Sequence, residues 1–398
     1  MCSTVAKDLD RPYSTQLNKT MTSTPKKRVL ILGPIESTLP AYQKFLKEFE
    51  VIDYRATSRT QLITDLQEGG PLHGSIHAIY AAWAGLTKVG ELDSELLDHF
   101  PTQELRIVTV CSAGFSPHWD LKKLRSLDVD FCNTPTFGAA QVADLALSFV
   151  LDGFRKLVVL DKITRRIGNT YTVREDLAFN LRWDRESGQY VKKIADGEDG
   201  ENEVDFAFGH DLGGVNLITP QGKFAVILGF GSIGKLVGLR LNAIGMNVRY
   251  VKRTKLIKEE EEKLGYKAEY FSELKDAVKN ASVVVLCLPG TVDTFRIINE
   301  QIIDLFNHTI LVNVGRGSLI DEKAVLNGLR KGKISHFGAD VYPEEPHINP
   351  ELRQREDVTF TPHVGSSTEE NDNATAKFCL ENITDVLLHG KAAKNVQN

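Results

Sequence analysis

Cysteine is scarce and scattered in this chain: Cys2, Cys111, Cys132, Cys287 and Cys379 are five among 398 residues, without a Cys-x-x-Cys pair or framework spacing. That excludes a disulfide-stapled secreted domain and reads as reduced thiols; no metal site is expected. Positive charge is not in excess, with 48 Lys and Arg against 53 Asp and Glu and a net charge of -5. A pI near 6.1 and no basic stripe argue against a nucleic-acid partner. Long hydrophobic runs are missing too. Nothing approaches the ~18–20 apolar residues that span a bilayer, so no membrane partner is expected. The first 27 residues, rich in Ser, Thr and Lys, lack an apolar signal core and are expected to form a disordered tail. Asp8 and Asp10 count against an organellar presequence, and Asn307-His308-Thr309 is then a chance glycosylation match. The expectation is a cytoplasmic protein.

What remains is ordinary for a globular chain: 42% hydrophobic and 25% charged. Its length suggests two or three domains of ~150 residues. Gly229-Phe230-Gly231-Ser232-Ile233-Gly234 follows the apolar run Phe224–Leu228 and opens a helix-patterned stretch. This spacing suits a strand–turn–helix that binds a dinucleotide: Gly229 for the turn, Gly231 for approach to a pyrophosphate, Gly234 for close packing of helix on strand. Free N–H groups at the helix start, including those of Ser232 and Ile233, would receive the phosphates.

Val29–Gly33, Ala78–Ala82 and Arg106–Cys111 read as strands alternating with helical segments, the pattern of a parallel α/β domain. The pattern breaks at Asn133-Thr134-Pro135, and a long helix is expected from Ala139 to Ile163. Residues 165–222 read as a long loop or insertion, with an acidic, glycine-rich centre at Ala195–Glu203. A second series follows, with strands at Phe224–Leu228, Asn247–Val251, Ser282–Leu288, Thr309–Val314 and His336–Val341. Helices are expected at Ser272–Lys279, with Ser272 as N-cap, at Asp321–Lys331 before Gly332, and at Glu369–Leu388. A strand series before the fingerprint and a helix after it suggest an inserted cofactor domain. Residues 28–135 with 365–398 would form one domain and 136–364 the other.

A dinucleotide-binding domain usually carries an Asp or Glu ~20 residues beyond its glycines to bind the ribose hydroxyls. Here that strand ends Lys252-Arg253-Thr254-Lys255, with no acid. Arg253 can clamp a 2′-phosphate that a carboxylate would repel, with Thr254 donating and Lys252 adding positive potential. NADPH is therefore expected over NADH, which remains usable; a solvated basic turn before Glu259–Glu262 is the plainer alternative.

Three motifs follow in order: Asn313-Val314-Gly315-Arg316-Gly317, Asp340-Val341-Tyr342-Pro343-Glu344-Glu345-Pro346 and Thr361-Pro362-His363. With them, over about residues 76 to 395, the chain resembles the D-isomer-specific 2-hydroxyacid dehydrogenases. The resemblance implies a doubly wound Rossmann cofactor domain inserted into a smaller flavodoxin-like α/β substrate domain, with the active site in the interdomain cleft. It implies that Arg316, Glu345 and His363 are catalytic. Physical chemistry supports each: a permanent guanidinium to hold a carboxylate, an imidazole to give a proton to a developing alkoxide, a carboxylate to stabilise the imidazolium. It places Leu288, Pro289, Thr294, Val314, Asp340 and Gly365 along the cofactor, Asp340 equally readable as a strand-end cap. Substrate would meet Ser112, Ala113 and Gly114, where the family more often has Gly-x-Gly, together with Trp83 and Leu86 as an apolar wall. Asp144 stands where the family more often has Glu. Among family branches the chain is similar to glyoxylate/hydroxypyruvate reductases and D-mandelate dehydrogenases; the formate dehydrogenase branch has glutamine for the glutamate. A homodimer through the cofactor domain is implied. The different class left open is a corepressor of the same fold, which binds the dinucleotide and partner peptides.

Overall fold

The computed structural model describes residues 25–115, 118–193 and 207–398; most of the expected tail and all of Ala195–Glu203 lie outside them. Contacts divide the chain into two compact units. One comprises the described residues of Met1–Val110, Pro117–Cys132 and Leu380–Asn398; the other, those of Cys111–Ser116 and Asn133–Cys379. The last boundary, between Cys379 and Leu380, falls inside the long helix Glu369–His389.

The first unit is built on β1 (Arg28–Leu32), β2 (Glu50–Tyr54), β3 (Ala78–Ala81), β4 (Ile107–Val110) and β5 (Asp130–Cys132), in the order β2-β1-β3-β4-β5. Their neighbouring strands pair in parallel. That is the flavodoxin-type order. β3 and β4 are buried along their whole length, as parallel strands covered on both faces must be.

In the second unit two short antiparallel pairs come first: β6 (Leu181–Asp184) with β7 (Gln189–Lys192), and β8 (Asp211–Leu212) with β9 (Val215–Asn216). The main sheet then takes β10 (Phe224–Leu228), β11 (Asn247–Val251), β12 (Ala268–Phe271), β13 (Ala281–Leu286), β14 (Thr309–Asn313), β15 (Ile334–Ala339) and β16 (Val358–Phe360). Their order is β12-β11-β10-β13-β14-β15-β16, the Rossmann order with one strand added. Alternate residues feed opposite layers. Val226, Leu228, Val284, Leu286 and Leu311 pack with Val325 and Leu329 of the helix Glu322–Arg330. Ala225, Ile227, Val283, Val285 and Ile310 pack with Phe149 and Val150 of the helix Ala139–Arg155 and with Val237 and Leu241 of Ser232–Ala243. Each fully buried Val, Leu or Ile contributes about 1.5–3 kcal/mol, so these two faces hold the sheet rigid. The strand ends that carry the site are thereby fixed.

Three expectations are corrected. The helix expected over Ala139–Ile163 is two, Ala139–Arg155 and Leu157–Ile167. Lys156 between them takes a left-handed φ of 51°, and Asp152 Oδ1 accepts the N–H of Val158 at 2.9 Å. The apolar period continues through the break, so periodicity could not reveal it. Ser272 caps nothing: the helix there is Leu274–Ala277, with Glu273 at its N-cap. The stretch 165–222 is not a bare loop where it is described. Val159, Ile163, Val173, Leu177, Leu181 and Leu212 form a small core of their own beneath the two hairpins. Buried Arg355, paired with Asp357, donates to the carbonyls of Arg185 and Glu186 at 3.0 and 3.1 Å and fastens the β6–β7 turn. β12, β16 and β5 were not expected at all; each is three or four residues long.

Candidate active site

The glycine loop joins β10 to the helix Ser232–Ala243. Gly229 has a φ of 92°, a left-handed conformation that a side chain would strain. A Cβ on Gly234 would lie 2.1 Å from the Gly229 carbonyl oxygen, so only glycine lets the helix start this close to the strand. Around Gly231 the opposite holds: no atom lies within 4 Å of a built Cβ. Gly231 is also the N-cap, and no side chain caps the helix. Open space against unclaimed N–H groups at the positive end of a 12-residue helix fits a pyrophosphate. Lys252 is half-buried and Arg253 and Thr254 are exposed at the end of β11. Lys255 faces Glu261 at 3.6 Å, whereas among the described residues Arg253 has no ion-pair partner within 4.0 Å.

At the ends of β14, β15 and β16 the three motifs converge. His363 Nδ1 lies 2.9 Å from Glu345 Oε2, and the other carboxylate oxygen accepts the N–H of Tyr342 at 2.9 Å. The Glu345 hydrogen bond pushes the imidazole pKa above its ordinary value, against the opposing effect of burial. Burial pushes Glu345 the other way, but the bonds from His363 and Tyr342 outweigh it and hold the carboxyl below its usual range. His363 sits at φ 56°, a costly conformation for a residue with a Cβ. Asp340 maintains it. Its buried carboxylate accepts the N–H groups of Val364 and Gly365, both at 2.8 Å, and the Thr361 hydroxyl at 2.6 Å. A Cβ on Gly365 would come within 2.8 Å of the same carboxylate.

Arg316 follows β14. Its backbone is fixed by Asn313, which donates to the Arg316 carbonyl at 2.9 Å and accepts the Gly315 N–H at 3.1 Å. Its side chain donates to the Gly315 carbonyl at 2.7 Å. Burial lowers the guanidinium pKa, Glu345 opposes that, and the group stays charged across any working pH. The guanidinium lies against Gly114: a Cβ there would be 1.8 Å from it. Any side chain at Gly114 would therefore have to displace the guanidinium from this place.

Comparisons with known proteins establish the family. Residues 191–365 match the family model for the NAD-binding domain of D-isomer-specific 2-hydroxyacid dehydrogenases. A Saccharomyces cerevisiae protein whose name places it among the 2-hydroxyacid dehydrogenases is 31% identical, over 92% of this chain and 95% of its own. The chain belongs to the D-isomer-specific 2-hydroxyacid dehydrogenases. A glyoxylate reductase of Thermococcus kodakarensis is 32% identical over 73% of this chain and 76% of its own. The holo crystal structure of Rhodotorula graminis D-mandelate dehydrogenase superposes with a TM-score of 0.78, is 25% identical, and covers 94% of this chain and 98% of that one. This dehydrogenase is accordingly an NAD(P)-dependent oxidoreductase with a Rossmann-type cofactor domain.

The other residues expected at the site are distributed as follows. Val314 is buried beside Arg316, while Leu288 is half-buried and Pro289 exposed past β13. Thr294 directs its hydroxyl into its own turn, to the Pro289 carbonyl at 2.8 Å. Ser112 donates to the Gly114 carbonyl at 2.6 Å, and the Ala113 carbonyl accepts Asn133 Nδ2 at 2.6 Å. These bonds set the shape of the loop that carries Gly114. Leu86 packs on the core of the first unit; the Trp83 side chain lies outside the described residues. Among the described residues, no three His, Cys, Asp or Glu side chains cluster as a metal site, and no helix is long and apolar enough to cross a membrane. Sequence reasoning missed Asn313, Tyr342 and Thr361 as organisers of the site. All three sit inside the quoted motifs, but their work is done by backbone-directed bonds that no spacing announces.

Proposed function

We propose that this dehydrogenase reduces 2-oxo acids to D-2-hydroxy acids with NADPH in preference to NADH, His363 serving as the proton donor. The observation that carries the reading is the 2.9 Å contact between His363 and Glu345 beside the Arg316 guanidinium. Gly229, Gly231, Ser232, Ile233 and Gly234 would hold the cofactor's phosphates, with Val314 and Asp340 as further contacts, and the cofactor when bound would supply the hydride. Arg316 holds the substrate carboxylate and, with the N–H groups of the Ser112-Ala113-Gly114 loop, polarises the neighbouring carbonyl. The imidazolium of His363, kept charged by Glu345, gives its proton to the oxygen as negative charge develops there. Asp340 keeps the histidine loop from relaxing.

The NADPH preference rests on Lys252, Arg253 and Thr254 standing where an acid would select NADH, with Arg253 unclaimed among the described residues. We also read the protein as cytoplasmic and as a homodimer through its cofactor domain; exposed Leu157 and Val158 on that unit support the second point. The test is a panel of glyoxylate, pyruvate and branched and phenyl-bearing 2-oxo acids, assayed with both cofactors. Turnover of at least one with NADPH is expected. A KM favouring NADH tenfold or more would reverse the cofactor assignment, and dinucleotide binding without turnover of any acid would favour the corepressor class.

A further inference from the structure

We propose that Tyr342 is the positioning residue of this site, fixing the imidazole of His363 against Glu345 through three separate ties. The inference rests on the function proposed above. Tyr342 lies between the Asp340 and Glu345 positions, and its ring is buried at 7% exposure. Its hydroxyl donates to the carbonyl of Thr361 at 2.6 Å, two residues before His363, with the Ala339 carbonyl at 3.0 Å as a second acceptor. Its N–H donates to Glu345 Oε1 at 2.9 Å, the oxygen His363 leaves open. Its carbonyl lies so close to Gly317 that a Cβ there would be 1.9 Å from the carbonyl carbon, which brings the residue after Arg316 against the same tyrosine.

A core tyrosine satisfied by any nearby carbonyl would do none of this. Here one residue touches the segment carrying each of the three functional side chains. The two that must keep a fixed distance, His363 and Glu345, stand on different strand ends. The backbone of Thr361 is already held by its own N–H to the Ala339 carbonyl at 3.0 Å. The tyrosine hydroxyl adds the link from that strand end to the loop bearing Glu345. Burial, with the charges of Asp340 and Glu345, pushes the phenol pKa above its ordinary value, so the hydroxyl remains a donor wherever the enzyme works. Losing it removes a partner of the half-buried Thr361 carbonyl and frees the histidine loop to drift.

The experiment is Tyr342→Phe, which removes the hydroxyl and keeps the ring and the N–H. A fall in kcat of about tenfold is expected, with KM for the 2-oxo acid unchanged because Arg316 is anchored by Asn313. The descending limb of the kcat profile should move to lower pH. Substitution by 4-fluorophenylalanine, which fills the hydroxyl's volume without donating, should reproduce the effect if Tyr342→Phe folds poorly. Substitution by 4-aminophenylalanine, which donates again, should restore it. The pKa of the His363 imidazole, followed by NMR in the cofactor-free protein, should fall in the non-donating variants. That measurement stands even if no 2-oxo acid is turned over, so failure of the function and failure of the positioning role are told apart. Wild-type kcat, wild-type pH limb and an unmoved imidazole pKa in a folded non-donating variant would overturn the proposal.

Discussion

His336 lies within β15 and His363 just beyond β16, and each faces a carboxylate at hydrogen-bonding range. His336 Nε2 is 3.3 Å from Asp152 Oδ2, which also accepts the Thr359 hydroxyl, and the Lys156 ammonium stands 3.5 Å from its other nitrogen. His363 Nδ1 is 2.9 Å from Glu345 Oε2, with 42% of its side chain exposed. The buried ring has its pKa lowered, first by desolvation and then by the Lys156 charge, although Asp152 pulls the other way. The exposed ring has its pKa raised, because the Glu345 hydrogen bond outweighs a weaker desolvation. A carboxylate partner therefore does not decide whether a histidine is charged. Burial and the third charge nearby decide it, and within one unit the first ring is a buried core group while the second stands at the proposed site.

The comparison breaks first if His363→Ala leaves activity alone. Loss of the proton donor should lower kcat for 2-oxo acid reduction by about 10²–10⁴-fold, while NADPH binding followed by nicotinamide fluorescence is retained. An unchanged kcat removes His363 from the chemistry. In the buried pair the corresponding substitution acts on folding. Asp152→Ala strands Lys156, whose pKa is already brought down to about 8 by burial, in a site with one counter-charge fewer. It should cost about 3 kcal/mol or more, read as a lower denaturant midpoint at constant slope, with kcat of the folded enzyme unchanged. A stability loss below ~1 kcal/mol would mean the network carries little.

Much of this contrast could be read in the sequence, but unevenly. The short apolar run Phe224–Leu228 was legible to the residue because a strand buried on both faces leaves no other pattern, and Asn247–Val251 was legible from its alternation. That Arg316, Glu345 and His363 lie together could be expected because their motifs are local and ordered. The Lys156 break, the β6–β7 hairpin fastened by Arg355, and the buried Asp152–His336 pair were not. The last two depend on contacts between residues far apart in the chain, Arg355 with Glu186 and Asp152 with His336, and the first on one left-handed residue inside a continuous apolar pattern. Periodicity carries no record of such pairs, and a lone buried histidine looks the same whether it is neutral or charged.

Glu345→Gln sharpens the comparison from the other side. The half-exposed pair should lose chemistry and little stability. Without the carboxylate the imidazolium is less favoured, so kcat at neutral pH should fall about tenfold and its descending limb move to lower pH. The denaturant midpoint should drop far less than in Asp152→Ala. Equal drops in the two variants would mean that the Glu345 pair is also part of the core.

The smallest effect is the most diagnostic, because it depends on sign alone. For His336 the folded pKa lies below the unfolded value near 6.5. Between the two the unfolded chain binds more protons, so stability rises with pH there and is lost as pH falls towards the folded value. For His363 the folded pKa lies above 6.5, so the native state binds more protons and the stability it contributes at low pH is lost as pH rises through the folded value. Stability measured against pH for the wild type, minus that for His336→Gln, should therefore slope upward on the acid side of 6.5. The same difference taken with His363→Gln should slope downward on the alkaline side. Slopes of one sign in both would show that the two rings share an electrostatic environment, against the distances that separate Lys156 from one and Glu345 from the other.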